Sequence, residues 1–204
     1  MRRRRFRKAT WRGRKAAVVS EYVQADLVPG RDCGACTACC TELTVETSDI
    51  RKVQGVTCVH CTAGAGCGIY LTRPEICRTW FCQWRRYAWL DDAWRPDLSQ
   101  MILRATDDDV PDGYASEIGI VFDLFGPCDV LLLPATLDVI ARLIDADIAT
   151  FLSVPGLVGW ASGRVLLNPS LEAAVRERDG DKVRARMVDA FLMSALHPKV
   201  PIEL

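Results

Sequence analysis

The sequence predicts an α+β fold, in which a small cysteine-rich domain is followed by a small mixed α/β region. Nine of the ten cysteines lie between Cys33 and Cys82, where glycines are frequent and regular periodicity is rare. From Ser99 onward cysteine almost disappears and ordinary apolar patterning begins. Half of the 204 residues are apolar, so the chain can bury a core without disulfide bonds.

These changes in composition divide the chain into three parts. Residues 1–30 form a basic N-terminal arm, residues 31–98 the cysteine-rich domain, and residues 99–204 the α+β C-terminal region. Nine of the 26 basic residues and no acidic residue lie within residues 1–15, so the rest of the chain is distinctly acidic. The arm therefore predicts weak, salt-sensitive binding to nucleic acid.

The sequence of the arm also indicates the cellular compartment of the protein. Its arginine run is followed by an apolar stretch, residues 16–25, which is short for an export signal and is interrupted by Glu21. No apolar run approaches the roughly 18 to 20 residues that a membrane-spanning helix needs. We therefore expect a cytoplasmic protein without membrane contact and with reduced thiols. An organellar transit peptide is the alternative explanation of the basic start.

One helix start is marked in the cysteine-rich domain. Thr72 is a predicted N-cap, Pro74 would lie in the first turn, and Glu75 occupies the capping-box position. This helix would carry Cys77 toward Cys82. Beyond it, four aromatic residues recur at near-helical spacing, which would suit base stacking but more commonly indicates core packing: Trp80, Trp84, Tyr87 and Trp89.

The C-terminal region alternates predicted strands with predicted helices. An amphipathic helix follows Pro134, another begins at Asn168, and a last apolar stripe runs from Val183 to Ala195. The strand-like runs are residues 100–104, 118–124, 130–133 and 164–167.

The spacing of the cysteines is the strongest chemical signal. Cys33, Cys36 and Cys39 form two overlapping C-x2-C units with Cys40 appended, and Cys58-Val-His-Cys61 is a third. This spacing lets two thiolates face one ion while backbone N–H groups turn toward the sulfurs. Without an oxidising compartment, metal ligation explains the high density of cysteines better than disulfide bonds do. Adjacent side chains diverge, so Cys39 and Cys40 should serve different sites, or one of them is spare.

Four other residues were considered as parts of the metal site. His60, inside the third unit, could replace a thiolate, whereas Cys128 lies far from the cluster and indicates a lone thiol. Arg73 and Arg78 flank Cys77 and could offset the net charge of about −2 that four thiolates give a zinc site. The acidic run at residues 107–109 could bind a hard cation, but its composition is typical of a solvated loop.

At these positions the chain resembles the CxxCxxCC zinc- or iron-chelating family, the YkgJ-type cysteine-cluster proteins. The match is C-x2-C-x2-C-C, a lone cysteine, and then Gly66-Cys67-Gly-Ile-Tyr-Leu-Thr-Arg-Pro-Glu-Ile-Cys77-Arg-Thr-Trp-Phe-Cys82. It covers about 50 of the 204 residues, and Cys61 departs from it. The resemblance implies a bacterial cytosolic protein with eight metal ligands: Cys33, Cys36, Cys39, Cys40, Cys58, Cys67, Cys77 and Cys82.

Three functional hypotheses follow. In the first, the metal is structural or stored, and the acidic remainder binds an unidentified protein partner. In the second, an iron–sulfur centre serves a redox or radical enzyme. In the third, the chain is a nucleic-acid-binding module that neutralises phosphates with residues 1–15. Thiolate ligation suits zinc, iron and iron–sulfur clusters alike, so all three cofactors remain open.

Overall fold

The computed structural model describes Tyr22, residues 26–62 and residues 64–203. In this part of the chain no helix is long and apolar enough to span a membrane. The basic arm at residues 1–15 lies outside the described residues, and so does the nucleic-acid binding predicted from it.

The cysteine-rich segment is built from very short elements. Strand β1 pairs antiparallel with β2, and β3 pairs antiparallel with β4. Single turns of 3-10 helix at Tyr70–Thr72, Gln83–Arg85 and Asp92–Trp94 connect the rest. The elements are α1 (Ala38–Glu42), β1 (Val45–Glu46), β2 (Arg51–Lys52), β3 (Cys61–Thr62), β4 (Gly66–Cys67) and α2 (Glu75–Thr79).

Helix α2 starts later than the capping pattern predicts. Thr72 ends a 3-10 turn instead of capping the helix, and Pro74 occupies the N-cap position. Arg73 is extended, with φ −58° and ψ 151°, because a residue before proline is disfavoured in the helical region. The helix still carries Cys77, but it ends at Thr79 and stops short of Cys82.

A four-stranded mixed sheet forms the centre of the rest of the chain. The strand order is β5-β6-β7-β8; the β6–β7 pair is parallel and the other two pairs are antiparallel. A parallel pair needs a crossover, which α4 supplies between β6 and β7. The elements are α3 (Pro96–Ser99), β5 (Met101–Thr106), β6 (Gly119–Leu124), α4 (Pro134–Asp145), β7 (Thr150–Val154), β8 (Gly163–Leu166), α5 (Asn168–Glu177) and α6 (Gly180–Leu196).

The predicted strand at residues 130–133 is wrong. The segment Cys128–Leu132 is a 3-10 helix whose only buried residue is Leu131. It leads into Pro134, the first residue of α4, so the apolar run precedes a helix, and Val130 and Leu132 pack against the core while only partly buried. The other three predicted strands are present, and each begins one residue from its predicted start. The three long helices predicted after Pro134, at Asn168 and along the apolar stripe from Val183 to Ala195 are also present.

The apolar core joins the sheet and its helices to the aromatic residues that precede the sheet. Ile140 and Leu143 of α4 are fully buried in the same cluster as Trp84 and Tyr87, and Trp89 packs against it. Trp84, Tyr87 and Trp89 are therefore core residues, as their spacing indicates, whereas Trp80, the fourth predicted aromatic, is not part of this cluster. The chain contains both helices and sheets, which confirms the α+β class at that level.

Candidate metal centre

A cavity of ≈ 280 Å³ lies within the cysteine-rich segment. Ile102 of β5 closes one side of it, so the sheet forms part of the wall. Cys61 and Cys128 are not among its lining residues. The cysteines that do line it are the eight predicted ligands: Cys33, Cys36, Cys39, Cys40, Cys58, Cys67, Cys77 and Cys82.

The thiols face the cavity without converging on one point. All ten cysteines are free of disulfide bonds, and all except the exposed Cys128 are half-buried. No group of three or more His, Cys, Asp or Glu side chains in the described residues is arranged so that it could hold a metal ion. A metal site here would therefore need the surrounding turns to close on the ion, which is how metal binding is coupled to folding.

Gly66 lets two cysteine-bearing segments approach each other. It has a φ of +83°, and a Cβ there would collide with the carbonyl oxygen of Gly34. Only glycine tolerates both this backbone conformation and this contact. The β3–β4 hairpin, which carries Cys67, thereby packs against the turn closed by the hydrogen bond from Cys36 N–H to Cys33 C=O, of 2.8 Å.

Three thiols form a first group, which we call the Asp97 group: Cys33, Cys36 and Cys82. The pKa of Cys82 is raised to about 11, chiefly by burial, and negative charge on Cys33 and Cys36 contributes to the rise. The backbone N–H groups of Arg85 and Trp84 lower the pKa of Cys82, because they bond to its sulfur and favour the thiolate.

Cys36 has the same kind of surroundings within the Asp97 group. Burial raises the pKa of its thiol, while backbone N–H bonds from Ala38 and Asp97 lower it. The side chain of Asp97 also hydrogen-bonds the thiol. The sulfurs of Cys36 and Cys82 are thus both surrounded by the N–H donors that a thiolate needs.

Arg85 supplies a buried positive charge beside this group. Only 8% of the residue is exposed, and its Nη1 lies 3.8 Å from the Sγ of Cys33. Its Nε is buried and has no hydrogen-bond partner. A buried guanidinium without a carboxylate is costly, so negative charge on the neighbouring sulfurs would stabilise it.

Four more cavity-lining thiols form a second group, which we call the Lys52 group: Cys40, Cys58, Cys67 and Cys77. The N–H of Cys58 donates to the carbonyl of Cys40 at 2.8 Å. Burial raises the pKa of Cys77, and negative charges on the other three thiols raise it further. Cys77 therefore interacts electrostatically with each of the other three thiols.

Cys39 and Cys61 lie at the margin of the Lys52 group. A hydrogen bond with Cys39 raises the pKa of Cys40 strongly. Cys61 is paired directly opposite Cys67 in the β3–β4 ladder, and its thiol contacts Cys40. Cys39 lines the cavity and Cys61 does not.

Lys52 provides a second buried cation. It is 6% exposed, and its Nζ donates to the carbonyls of Thr41 (3.0 Å), Val53 (3.5 Å) and Leu43. Burial lowers the pKa of Lys52, whereas negative charge on Cys58 and on Cys40 raises it. An ammonium group held by neutral carbonyls therefore faces the Lys52 group.

The predicted arginines divide between the cavity and the surface. Arg73 lines the cavity, stacks 3.9 Å from the centroid of the Tyr70 ring, and keeps a buried Nε without a hydrogen-bond partner. Arg78 is exposed and does not line the cavity. His60 lines the cavity. Sequence reasoning singled out Arg73 but missed Lys52 and Arg85.

Two other candidates lie away from the cavity. Cys128 is exposed at the start of its 3-10 helix. The acidic run at residues 107–109 lies in the loop between β5 and β6, where Asp109 pairs with Arg164 at 2.5 Å. This ion pair fits the solvated-loop interpretation of the run.

The residues around the cavity fit a thiophilic metal. Eight thiols without disulfides match the donors that zinc, iron and iron–sulfur clusters take. The Nε atoms of Arg73 and Arg85 are buried without a hydrogen-bond partner, so both guanidinium groups could interact with further negative charge. Metal–thiolate centres carry that negative charge.

Comparison with known proteins found no matching family model, no similar curated protein and no similar solved structure. The resemblance to the cysteine-cluster family therefore depends on the motif residues alone.

Proposed function

We propose that this chain is a metal-binding cysteine-cluster protein of the CxxCxxCC type, with zinc, iron or an iron–sulfur cluster as its cofactor. One observation carries the proposal. The cavity is lined by the eight cysteines of the motif, whereas Cys61 and Cys128, which fall outside the motif, do not line it. A set of cysteines used only as small core residues would have no reason to be divided in this way.

The buried cations support the proposal independently. A divalent ion with four thiolates has a net charge of about −2, and burial of that charge requires compensation. Lys52, Arg73 and Arg85 line the same cavity, and the described residues give none of them a carboxylate partner within ion-pair distance. Thiolates bound to a metal supply the missing negative charge.

The side chains have distinct roles in this proposal. The cavity-lining cysteines bind the metal, the backbone N–H groups around Cys36 and Cys82 donate hydrogen bonds to the metal-bound sulfurs, and the cations neutralise the centre. Zinc would hold the turns together, whereas iron or an iron–sulfur cluster would add electron transfer.

Metal analysis of the full chain, purified without oxygen, tests the function. We expect stoichiometric metal, with sulfide and visible absorption if the centre is an iron–sulfur cluster and a colourless protein if it is zinc. Cys58→Ala, Cys67→Ala and Cys77→Ala should each lose metal, because an open position in a thiolate site weakens binding. The control, Cys128→Ala, should keep it.

Two outcomes would contradict the proposal. One is a wild-type protein that contains no metal and whose NMR spectrum shows a fully folded segment between residues 33 and 82. The other is a Cys128→Ala variant that loses as much metal as Cys58→Ala.

A further inference from the structure

Cys61 is the only one of the nine cysteines between Cys33 and Cys82 that does not line the cavity. It lies in β3, directly opposite Cys67 of β4, which does line the cavity. Both are free thiols, and both are half-buried. The proposed metal centre gives Cys61 no role, so its position opposite a proposed ligand points to a different chemistry.

The hydrogen bonds of the β3–β4 ladder determine how close the two cysteines come. The N–H of Gly68 donates to the carbonyl of His60 at 2.8 Å, so these two residues form a hydrogen-bonded pair. In an antiparallel ladder such pairs alternate with pairs that make no hydrogen bond to each other. Cys61 and Cys67, the next pair along, are therefore a non-hydrogen-bonded pair, whose Cα atoms lie about 4.5 Å apart.

This kind of pair is compatible with a disulfide bond. Opposite side chains in a ladder lie on the same face of the hairpin, with Cβ atoms about 4.5–5.5 Å apart and closest in non-hydrogen-bonded pairs. Disulfides join residues whose Cα atoms are roughly 4.4–6.8 Å apart and whose Cβ atoms are roughly 3.5–4.5 Å apart. A bond between Cys61 and Cys67 therefore needs no new pairing of the strands.

The turn of the hairpin brings the two strands together locally. The N–H of Ala65 donates to the carbonyl of Thr62 at 3.0 Å. Gly64 and Gly66 have φ angles of +73° and +83°, which glycine adopts without the penalty that a side chain would add. The thiols on the two strands are separated by only a few residues of chain, so bringing them together costs little entropy.

Cys40 is the competing partner, because its thiol also contacts Cys61. Cys40 lies in α1, so a bond to Cys61 would close a longer loop at a higher cost in entropy. Its distance from Cys61 also depends on how α1 packs against the hairpin, whereas the ladder alone sets the distance between Cys61 and Cys67. Cys67 is therefore the favoured partner.

We propose that Cys61 and Cys67 are a redox-active pair, which a peroxide converts to a cross-strand disulfide bond and a small thiol returns to two free thiols. The formation of this bond does not depend on the proposed function. Its consequence does rest on it: a Cys67 held in a disulfide is lost as a ligand, so oxidation should release the bound metal.

The oxidation is a transfer of two electrons from sulfur to peroxide. One cysteine attacks an oxygen of hydrogen peroxide, the O–O bond breaks, the sulfur becomes a sulfenic acid, and the departing hydroxide takes the thiol proton and leaves as water. The second thiol attacks the sulfenic sulfur, the S–O bond breaks, and a second water leaves with the remaining proton. Two small thiols reverse the reaction by exchange and leave as their own disulfide.

Differential alkylation of the full chain tests the pairing. The protein, purified under reducing conditions, is treated with hydrogen peroxide and its remaining free thiols are blocked. The disulfides are then reduced, and the released thiols are labelled with a second reagent and assigned by tandem mass spectrometry. We expect Cys61 and Cys67 to carry the second label together, and the oxidised chain to be lighter by two hydrogen atoms until a small thiol is added.

Three serine variants separate the pair from its neighbours. Cys61→Ser should abolish the loss of two hydrogen atoms, because Cys67 then has no partner in the ladder. Cys128→Ser, the matched control at an exposed cysteine far from the hairpin, should keep the pairing. Cys40→Ser should keep it as well, since the proposed bond does not involve α1.

A zinc-loaded chain tests the consequence for the metal. Hydrogen peroxide should release zinc from the wild type, as reported by a chromophoric chelator, and Cys61→Ser should release it more slowly. Cys128→Ser should release zinc at the wild-type rate. A wild-type chain that binds no zinc but still pairs Cys61 with Cys67 would overturn the proposed function and leave the redox pair standing.

Three results would overturn the redox pair and leave the proposed function intact. A second label shared by Cys40 and Cys61, and lost in Cys40→Ser, would make Cys40 the partner. Equal labelling of every cysteine would show unselective oxidation. A zinc-loaded wild type in which peroxide never links Cys61 to Cys67, and which loses zinc as fast as Cys61→Ser does, would show that the metal is released through other thiols.

Discussion

Lys52 shows how one residue can determine the charge balance of the cavity. Its ammonium group is almost fully buried and donates to neutral backbone carbonyls. Burial of an ammonium is unfavourable, and negative charge on the neighbouring thiols and on Glu42 favours its charged form. The benefit is mutual, because the ammonium in turn favours ionised sulfur at Cys40.

We expect Lys52→Met to weaken metal binding by about tenfold, or about 1.4 kcal/mol, because the thiolates lose their nearest buried counter-charge. A competition titration against a chromophoric chelator measures the affinity. Lys199→Met is the control, since the Nζ of Lys199 also donates to a backbone carbonyl, that of Ala195 at 2.7 Å, but Lys199 does not line the cavity. Equal weakening in both variants would contradict the electrostatic role.

Single residues also show what the sequence can and cannot reveal about the site. The eight cavity-lining cysteines were predicted from spacing and resemblance, because the spacing of ligands along the chain is itself a pattern. Lys52, Arg85 and Asp97 were not predicted. Lysine, arginine and aspartate are mostly surface residues, so nothing local marks those that the fold turns inward against thiols.

The junction of β7 and α5 depends on Asn168, which begins the helix. Its Oδ1 accepts from the N–H of Thr150 at 2.8 Å, and its Nδ2 donates to the carbonyl of Ile148 at 2.9 Å. The asparagine is buried, so these backbone groups have no water to replace it. One side chain therefore fixes the start of a helix to the start of a central strand.

Asn168→Leu should lower the free energy of unfolding by roughly 2–4 kcal/mol, because it leaves a buried N–H and a buried carbonyl unpaired. Urea unfolding followed by circular dichroism measures the change. Ser170→Ala, at an exposed position two residues further along the same helix, is the control and should change stability by less than about 0.5 kcal/mol. If the two variants were equally stable, the two hydrogen bonds of the Asn168 side chain would contribute nothing to the free energy of unfolding.

The long elements were predictable and the buried strand was not. Helices α4, α5 and α6 have apolar stripes of helical period and recognisable starts, which fix their positions from sequence. All five residues of β7 are buried, so the strand lacks the alternation of polar and apolar residues that marks a half-buried strand. The mistaken strand at residues 130–133 has the same cause, since a short apolar run does not determine its own conformation.

At the scale of the whole molecule, the two halves of the chain have different sources of order. The sheet and its helices share an extensive core in which Ile120, Phe122, Ile140 and Leu152 are fully buried. Between residues 33 and 82 the described elements are only two to five residues long, and among the described residues of this segment only Ala38, Ile50, Lys52 and Gly66 are buried. Such elements bury too little apolar surface to offset the entropy of ordering them.

Metal removal should therefore unfold one part of the chain and spare the other. After treatment with a strong chelator, hydrogen–deuterium exchange should show loss of amide protection in residues 33–82, because metal binding supplies much of the folding free energy there. Strands β5 to β7 and helix α4 should keep their protection, since their core is extensive and Cys82 is the one proposed ligand that packs against it. Cys58→Ala should reproduce the pattern without chelator, and Cys128→Ala should not. Protection lost evenly along the chain would show that the sheet needs the metal as well, and protection unchanged between residues 33 and 82 would show that this segment is ordered by packing alone.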